Sequence, residues 1–197
     1  MLIQNHVFSF VRRPITNHYP DRAITLFNIY QYEVSTYAQD TQKILRFLTD
    51  EKKQRDYKSK YFDWVVPAGT FSYVSDDHQL TQSGAICMDL DYLCLPSEID
   101  EDNGDPVTEL KEKLLADPYF DTLLLFRSVR GCGLKWWISV DLTRYDFRTW
   151  FQSIRNYTMA TYHLTDKQVD AKVGHVSAGC FLGFDKHCYL KSELFKN

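Results

Sequence analysis

No stretch of the chain approaches the roughly 20 consecutive apolar residues of a membrane span. Its first residues, Met-Leu-Ile-Gln-Asn-His, lack the basic start and long apolar run of a secretory signal. A soluble, cytoplasmic protein with no membrane partner is expected. No Cys-x-x-Cys spacing occurs, and the cysteines Cys87, Cys94, Cys132, Cys180 and Cys188 are odd in number. A disulfide scaffold is therefore disfavoured, and a reducing compartment is expected. Repeats and low-complexity tracts are absent. Excess positive charge is absent too, since 23 Lys and Arg face 26 Asp and Glu for a net charge of −3. That excludes a uniformly basic nucleic-acid coat, though not a local basic patch.

What remains is 197 residues with an ordinary globular share of apolar side chains, enough for one domain over 1–197. The charge is unevenly spread. Between Glu98 and Asp121 nine acids meet only Lys111 and Lys113, giving −7 there and +4 for the rest. From Lys43 to Lys60 seven bases face three acids. Lys52, Lys53, Arg55, Lys58 and Lys60 form either a nucleic-acid-binding patch or a solvated helix face.

Residues 24–30 are β-branched and aromatic and predict a strand. A helix is expected after Ser35, burying Tyr37, Thr41, Ile44, Leu45 and Leu48. From Ala85 the pattern predicts strand 85–91, helix 108–116, strand 122–128, strand 134–142, helix 145–163 and strand 178–184. The fold class expected is α+β, a split βαββαβ (RRM/ferredoxin-like) core over 85–186 with an N-terminal α/β extension over 1–84. Such a core packs both helices on one sheet face and leaves the other available. Its first and third strands are central.

Alternation along 85–91 sets Ile86, Met88 and Leu90 on one face and Cys87, Asp89 and Asp91 on the other. Two carboxylates so close repel unless a cation lies between them, and hard oxygen ligands suit Mg²⁺ or Mn²⁺. The plain alternative is a pair of solvated acids. The turn from Ser128 to Lys135 contains Gly131 and Gly133, whose backbone can approach phosphate closely. Arg130 and Lys135 add positive charge, with Lys135 expected on the Asp89 side. The alternative is a plain hairpin turn. It is neither a P-loop nor a dinucleotide fingerprint, because no helix follows it.

Taken in order, these blocks resemble the archaeo-eukaryotic-type primase-polymerases, and more narrowly the VirE-type N-terminal domain of mobile-element replication proteins. The matching blocks are Tyr57-Lys58-x-Lys60, Pro67 to Ser72, Ser83-Gly84 leading to Asp89-Leu90-Asp91, Ser128 to Lys135, Val169-Asp170, Cys180-Phe181 and Phe184-Asp185. They span about two thirds of the chain, from Tyr57 to the C-terminus. Lys135 stands where the wider superfamily often has His, Arg130 replaces a second Ser, and Ala178 takes the place of an Arg. The resemblance implies metal-dependent nucleotidyl transfer in replication of a mobile element or phage. It makes Asp89, Asp91 and Asp170 the catalytic, metal-binding carboxylates for two Mg²⁺ or Mn²⁺ ions. It makes Ser128, Arg130, Gly131, Gly133 and Lys135 the nucleotide-binding set. The implied partners are a DNA template or primer, nucleoside triphosphates and a helicase.

Two other classes compete. One is a catalytically silent module that binds single strands by stacking bases on an open sheet face, with Trp137 as platform. The other is a phosphodiesterase or nuclease using the same carboxylates. Convergence of Asp89, Asp91 and Asp170 favours the enzyme readings, and scattered carboxylates favour the binding module. His175, Cys180, His187 and Cys188 do not have the usual spacing of paired zinc ligands.

Overall fold

The computed structural model describes residues 6–196. Residues 1–5, part of the segment inspected for a secretory signal, lie outside them. Strands β1 (Val7–Val11) and β2 (Arg22–Thr25) form an antiparallel hairpin. The strand expected over 24–30 stops at Thr25 and becomes helix α1 (Leu26–Val34). Thr25 and Asn28 cap it reciprocally, each side chain bonding the other's backbone N–H. Leu26, Ile29 and Glu33 then fall on one buried stripe, so helical spacing overrides the β-branched composition.

Helices α2 (Gln39–Phe47) and α3 (Glu51–Tyr61) follow. The stripe expected on α2 is corrected. Leu45 is buried, but Tyr37 and Ile44 are exposed, and Gln42 is buried in their place. Gln42 clamps the backbone of Phe184, donating to its carbonyl and accepting from its amide, both at 2.8 Å. Strand β3 (Trp64–Val66), the hairpin β4 (Gly69–Phe71) and β5 (Gln79–Gln82), and strand β6 (Ala85–Leu90) come next.

Helix α4 (Pro106–Leu115) starts at an Asp105 cap with Pro106 in its first turn. Strands β7 (Thr122–Arg127) and β8 (Leu134–Ser139) form the next hairpin. Helix α5 (Phe147–Tyr162) runs from an Asp146 cap to His163 in the left-handed conformation. Strands β9 (Cys180–Phe181) and β10 (Tyr189–Leu190) are short.

The fold is α+β, with the core sheet in the order β10-β7-β8-β6 and a second sheet in the order β2-β1-β3-β9. Helices α4 and α5 cover one face of the core sheet, where Ile86, Met88, Leu90, Trp136 and Ile138 meet Leu110, Leu114, Phe151 and Ile154. Val169 bridges antiparallel to Leu90 on the free side of β6. That bridge occupies the place expected for the fourth core strand. The strand expected over 178–184 is therefore corrected: only Cys180 and Phe181 extend, and they pair with β3 in the other sheet.

The expected free sheet face is also corrected. The second sheet covers it, with Phe8, Phe10 and Val65 packed on Cys87, Leu124, Phe126 and Trp137. Trp137 is fully buried, its ring 5.1 Å from Phe8 and perpendicular to it, so it offers no stacking surface. Because β9, within 85–186, pairs with β3 of the N-terminal sheet, the segments 1–84 and 85–186 are interleaved rather than appended. Among the described residues no helix is long and apolar enough to cross a membrane.

Candidate functional site

Side chains on β6 alternate as expected, and the register with β8 sets Asp89 directly opposite Lys135. The Lys135 ammonium binds the Asp89 carboxylate, and Arg130 binds Asp91 at 3.2 Å. Asp89, Asp91, Arg130 and Lys135 side chains are all at least four-fifths buried. Burial pushes the Asp89 carboxyl above its ordinary range, against the pull of Lys135. Burial acts on Asp91 in the same direction, but Lys135, Arg130 and Lys58 outweigh it and hold that carboxyl below its usual value. Lys135 is itself disfavoured by burial, yet its two carboxylate neighbours drive it firmly to the charged form.

The turn from Ser128 to Gly133 closes tightly over this pair. The Gly131 amide donates to the Ser128 carbonyl at 2.8 Å, and the Ser128 amide donates to the Gly133 carbonyl at 2.9 Å. Gly131 has φ +87, a conformation that favours glycine. At Gly133 the reason is space: a Cβ there would lie 2.3 Å from the Leu90 carbonyl oxygen and 3.0 Å from Asp91 Oδ1. Leu93 donates its amide to Cys132 at 2.9 Å, tying the turn to the segment after Asp91. The Gly131 amide is thus spent inside the turn and is not free for phosphate, unlike the expectation for it.

Two buried oxygens in this cluster have no hydrogen-bond partner, Asp89 Oδ1 and Ser128 Oγ. Buried polar atoms are nearly always satisfied, so each of these oxygens has hydrogen-bonding capacity that the described residues leave unused. Asp170 is adjacent: its amide donates to the Asp89 carbonyl at 3.0 Å. Its carboxylate, however, accepts from the Lys172 amide at 2.9 Å and caps the turn at 171–173. Among the described residues no three His, Cys, Asp or Glu side chains are grouped closely enough to hold a metal ion. The expected triad is brought together in the backbone but not assembled at its side chains.

The basic set on α3 divides. Lys52, Lys53, Arg55 and Lys60 are exposed. Lys58 leaves them and turns inward, its ammonium 5.0 Å from the Phe181 ring. Burial first, then the nearby Lys135 and Arg130, lower its pKa to about 8. Its inward turn follows from its place near the C-terminal end of α3, where the chain enters the second sheet. Three cations, Lys58, Arg130 and Lys135, thus face the Asp89 and Asp91 carboxylates in a largely buried site, with Asp170 adjacent. Such a site suits a polyanion, with or without a divalent ion.

Fold and site together define an α+β protein with a buried carboxylate–cation centre at the end of its core sheet. Residues 56–190, more than half of the chain, match the BT4734-like, N-terminal domain family, and the chain belongs to it. No curated protein and no solved structure matches the chain.

Proposed function

We propose that this chain is a primase-polymerase-like nucleotidyltransferase that binds a nucleoside triphosphate at the Asp89–Asp91 centre and acts on a DNA primer or template. The observation that carries this reading is the unpartnered Asp89 Oδ1 and Ser128 Oγ in a cluster with the buried Lys135 and the half-buried Arg130 and Lys58. Asp89 and Asp91 are hard oxygen donors that would hold Mg²⁺ or Mn²⁺, and Asp170 would join them by releasing the Lys172 amide. The bound ion would stabilise charge on the phosphates and favour deprotonation of the attacking hydroxyl.

The chain's own groups account for the rest. Lys135 and Arg130 exchange their carboxylate partners for phosphate oxygens, so positive charge already held in the site meets the polyanion. Lys58, poised near its pKa, becomes fully charged as negative charge arrives. Ser128 Oγ donates to a phosphate oxygen. The exposed bases of α3 follow a nucleic-acid backbone electrostatically. A helicase partner and a role in replicating a mobile element or phage rest on the family resemblance of the blocks named above.

The test is extension of a labelled primer–template with Mg²⁺ or Mn²⁺, with and without nucleoside triphosphates. Incorporation by the wild type, abolished in Asp89→Asn/Asp91→Asn, is the expected result. Cleavage without added triphosphate would instead make it a nuclease. Strand binding alone, insensitive to both substitutions, would make it a binding module.

A further inference from the structure

Beside the carboxylate–cation centre lies an open cleft of about 730 Å³. It runs between Arg46–Gln54, at the join of α2 and α3, and the segment that follows Asp91. Asp91 and Arg130 belong to its wall as well as to the centre, so the two are continuous. Its size falls in the range of small-molecule sites.

Three observations bear on what fits there. Tyr92 follows the carboxylate pair directly and has φ +56, a left-handed conformation that costs a bulky aromatic residue energy. Its ring stays 41% exposed in the cleft wall, with Lys167 Nζ 4.6 Å and Arg130 Cζ 5.3 Å from its centre. Lys167 is exposed and makes no ion pair with an acid among the described residues, so it can leave the ring at little cost. Arg46, also in the wall, is anchored by Glu101 at 2.8 Å and by the Val129 carbonyl at 3.2 Å, so that side of the cleft is fixed. The cleft therefore offers an aromatic surface against a rigid wall.

We propose that this cleft receives the base of the nucleotide, stacked on the exposed Tyr92 ring. This deepens the reading of the Asp89–Asp91 centre as a triphosphate site and rests on it. A nucleobase has the π face that Tyr92 attracts, while its triphosphate reaches the adjacent centre. The surrounding fold holds Tyr92 in this strained conformation, with its ring in the wall ahead of the ligand.

Calorimetric titration of the full chain with deoxyadenosine triphosphate and, separately, with inorganic tripolyphosphate tests this, each with Mn²⁺. Tyr92→Asn removes the ring and suits the left-handed backbone. It should weaken the nucleotide about tenfold and tripolyphosphate much less, with Tyr92→Phe close to wild type. Base protons of the nucleotide should also receive magnetisation from a tyrosine ring of the unaltered protein, a measurement independent of any variant's folding. Equal loss for both ligands, no loss for either, or no tyrosine transfer overturns the base cleft while the triphosphate centre stands. Binding of neither ligand by the wild type overturns the centre, and the cleft with it.

Discussion

Gly133 shows how a single position controls the centre. With a carbonyl oxygen 2.3 Å from any added Cβ, the turn cannot keep its seat against Leu90 and Asp91. Gly133→Ala should cost about 1–3 kcal/mol in urea unfolding, as overpacking does, and should weaken tripolyphosphate binding in calorimetry. Binding as tight as wild type would show that the turn's seat does not shape the site. Alternation made the Asp89–Lys135 side legible from residue order alone. Lys58, Arg46 and Tyr92 were not legible as a group, because three distant segments bring them to one place and no spacing rule connects them. The only local signal was Tyr92's position directly after the carboxylate pair.

At the scale of elements, the acidic stretch is not a free negative patch. Asp105 caps α4 through the Thr108 amide at 2.8 Å and binds the buried Arg127 at 2.7 Å. Glu101 binds Arg46, and Asp117 accepts from Tyr157 and Tyr162. Burial alone would raise the Asp105 carboxyl, but Arg127 and two backbone amides overcome it and hold it well below its usual value. The stability this supplies is complete above the unfolded carboxyl pKa of about 3.9 and is lost as pH falls below it. Asp105→Asn can keep the cap but strands Arg127, so it should cost about 3 kcal/mol at neutral pH. The same variant should lose less than wild type on acidification in thermal unfolding followed by circular dichroism. The strands and helices from Ala85 to Tyr162 were legible because their periodicity is regular. The strand expected over 24–30 failed because the Thr25–Asn28 cap, a side-chain event, outweighed β-branched composition.

Across the whole molecule, two sheets share one core, and Glu33 sits fully buried behind it. It accepts from the Gly183 amide at 2.8 Å and leaves its other oxygen unpartnered. Burial raises its pKa well above the ordinary value of 4.5. Its contribution is therefore complete below that value and is lost as pH rises through the raised pKa, since only the unfolded chain ionises freely. Glu33→Gln should flatten this loss, so its stability relative to wild type should improve steadily from about pH 5 to pH 8. Parallel pH profiles for the two proteins would contradict the buried, protonated carboxyl.

Sequence by itself determined the α+β class, the order of elements from Ala85 to Tyr162, and the side of the sheet on which Asp89, Asp91 and Lys135 lie. Those follow from period, capping and alternation, which are local. Tertiary structure decided what covers that side, where residues 180–181 pair, and which cations turn inward. It also decided that the Asp170 carboxylate rests on a backbone amide beside the pair rather than within it. These outcomes depend on which distant surfaces bury the most apolar area together, and a two-residue strand or a single lysine carries no periodic trace of that choice.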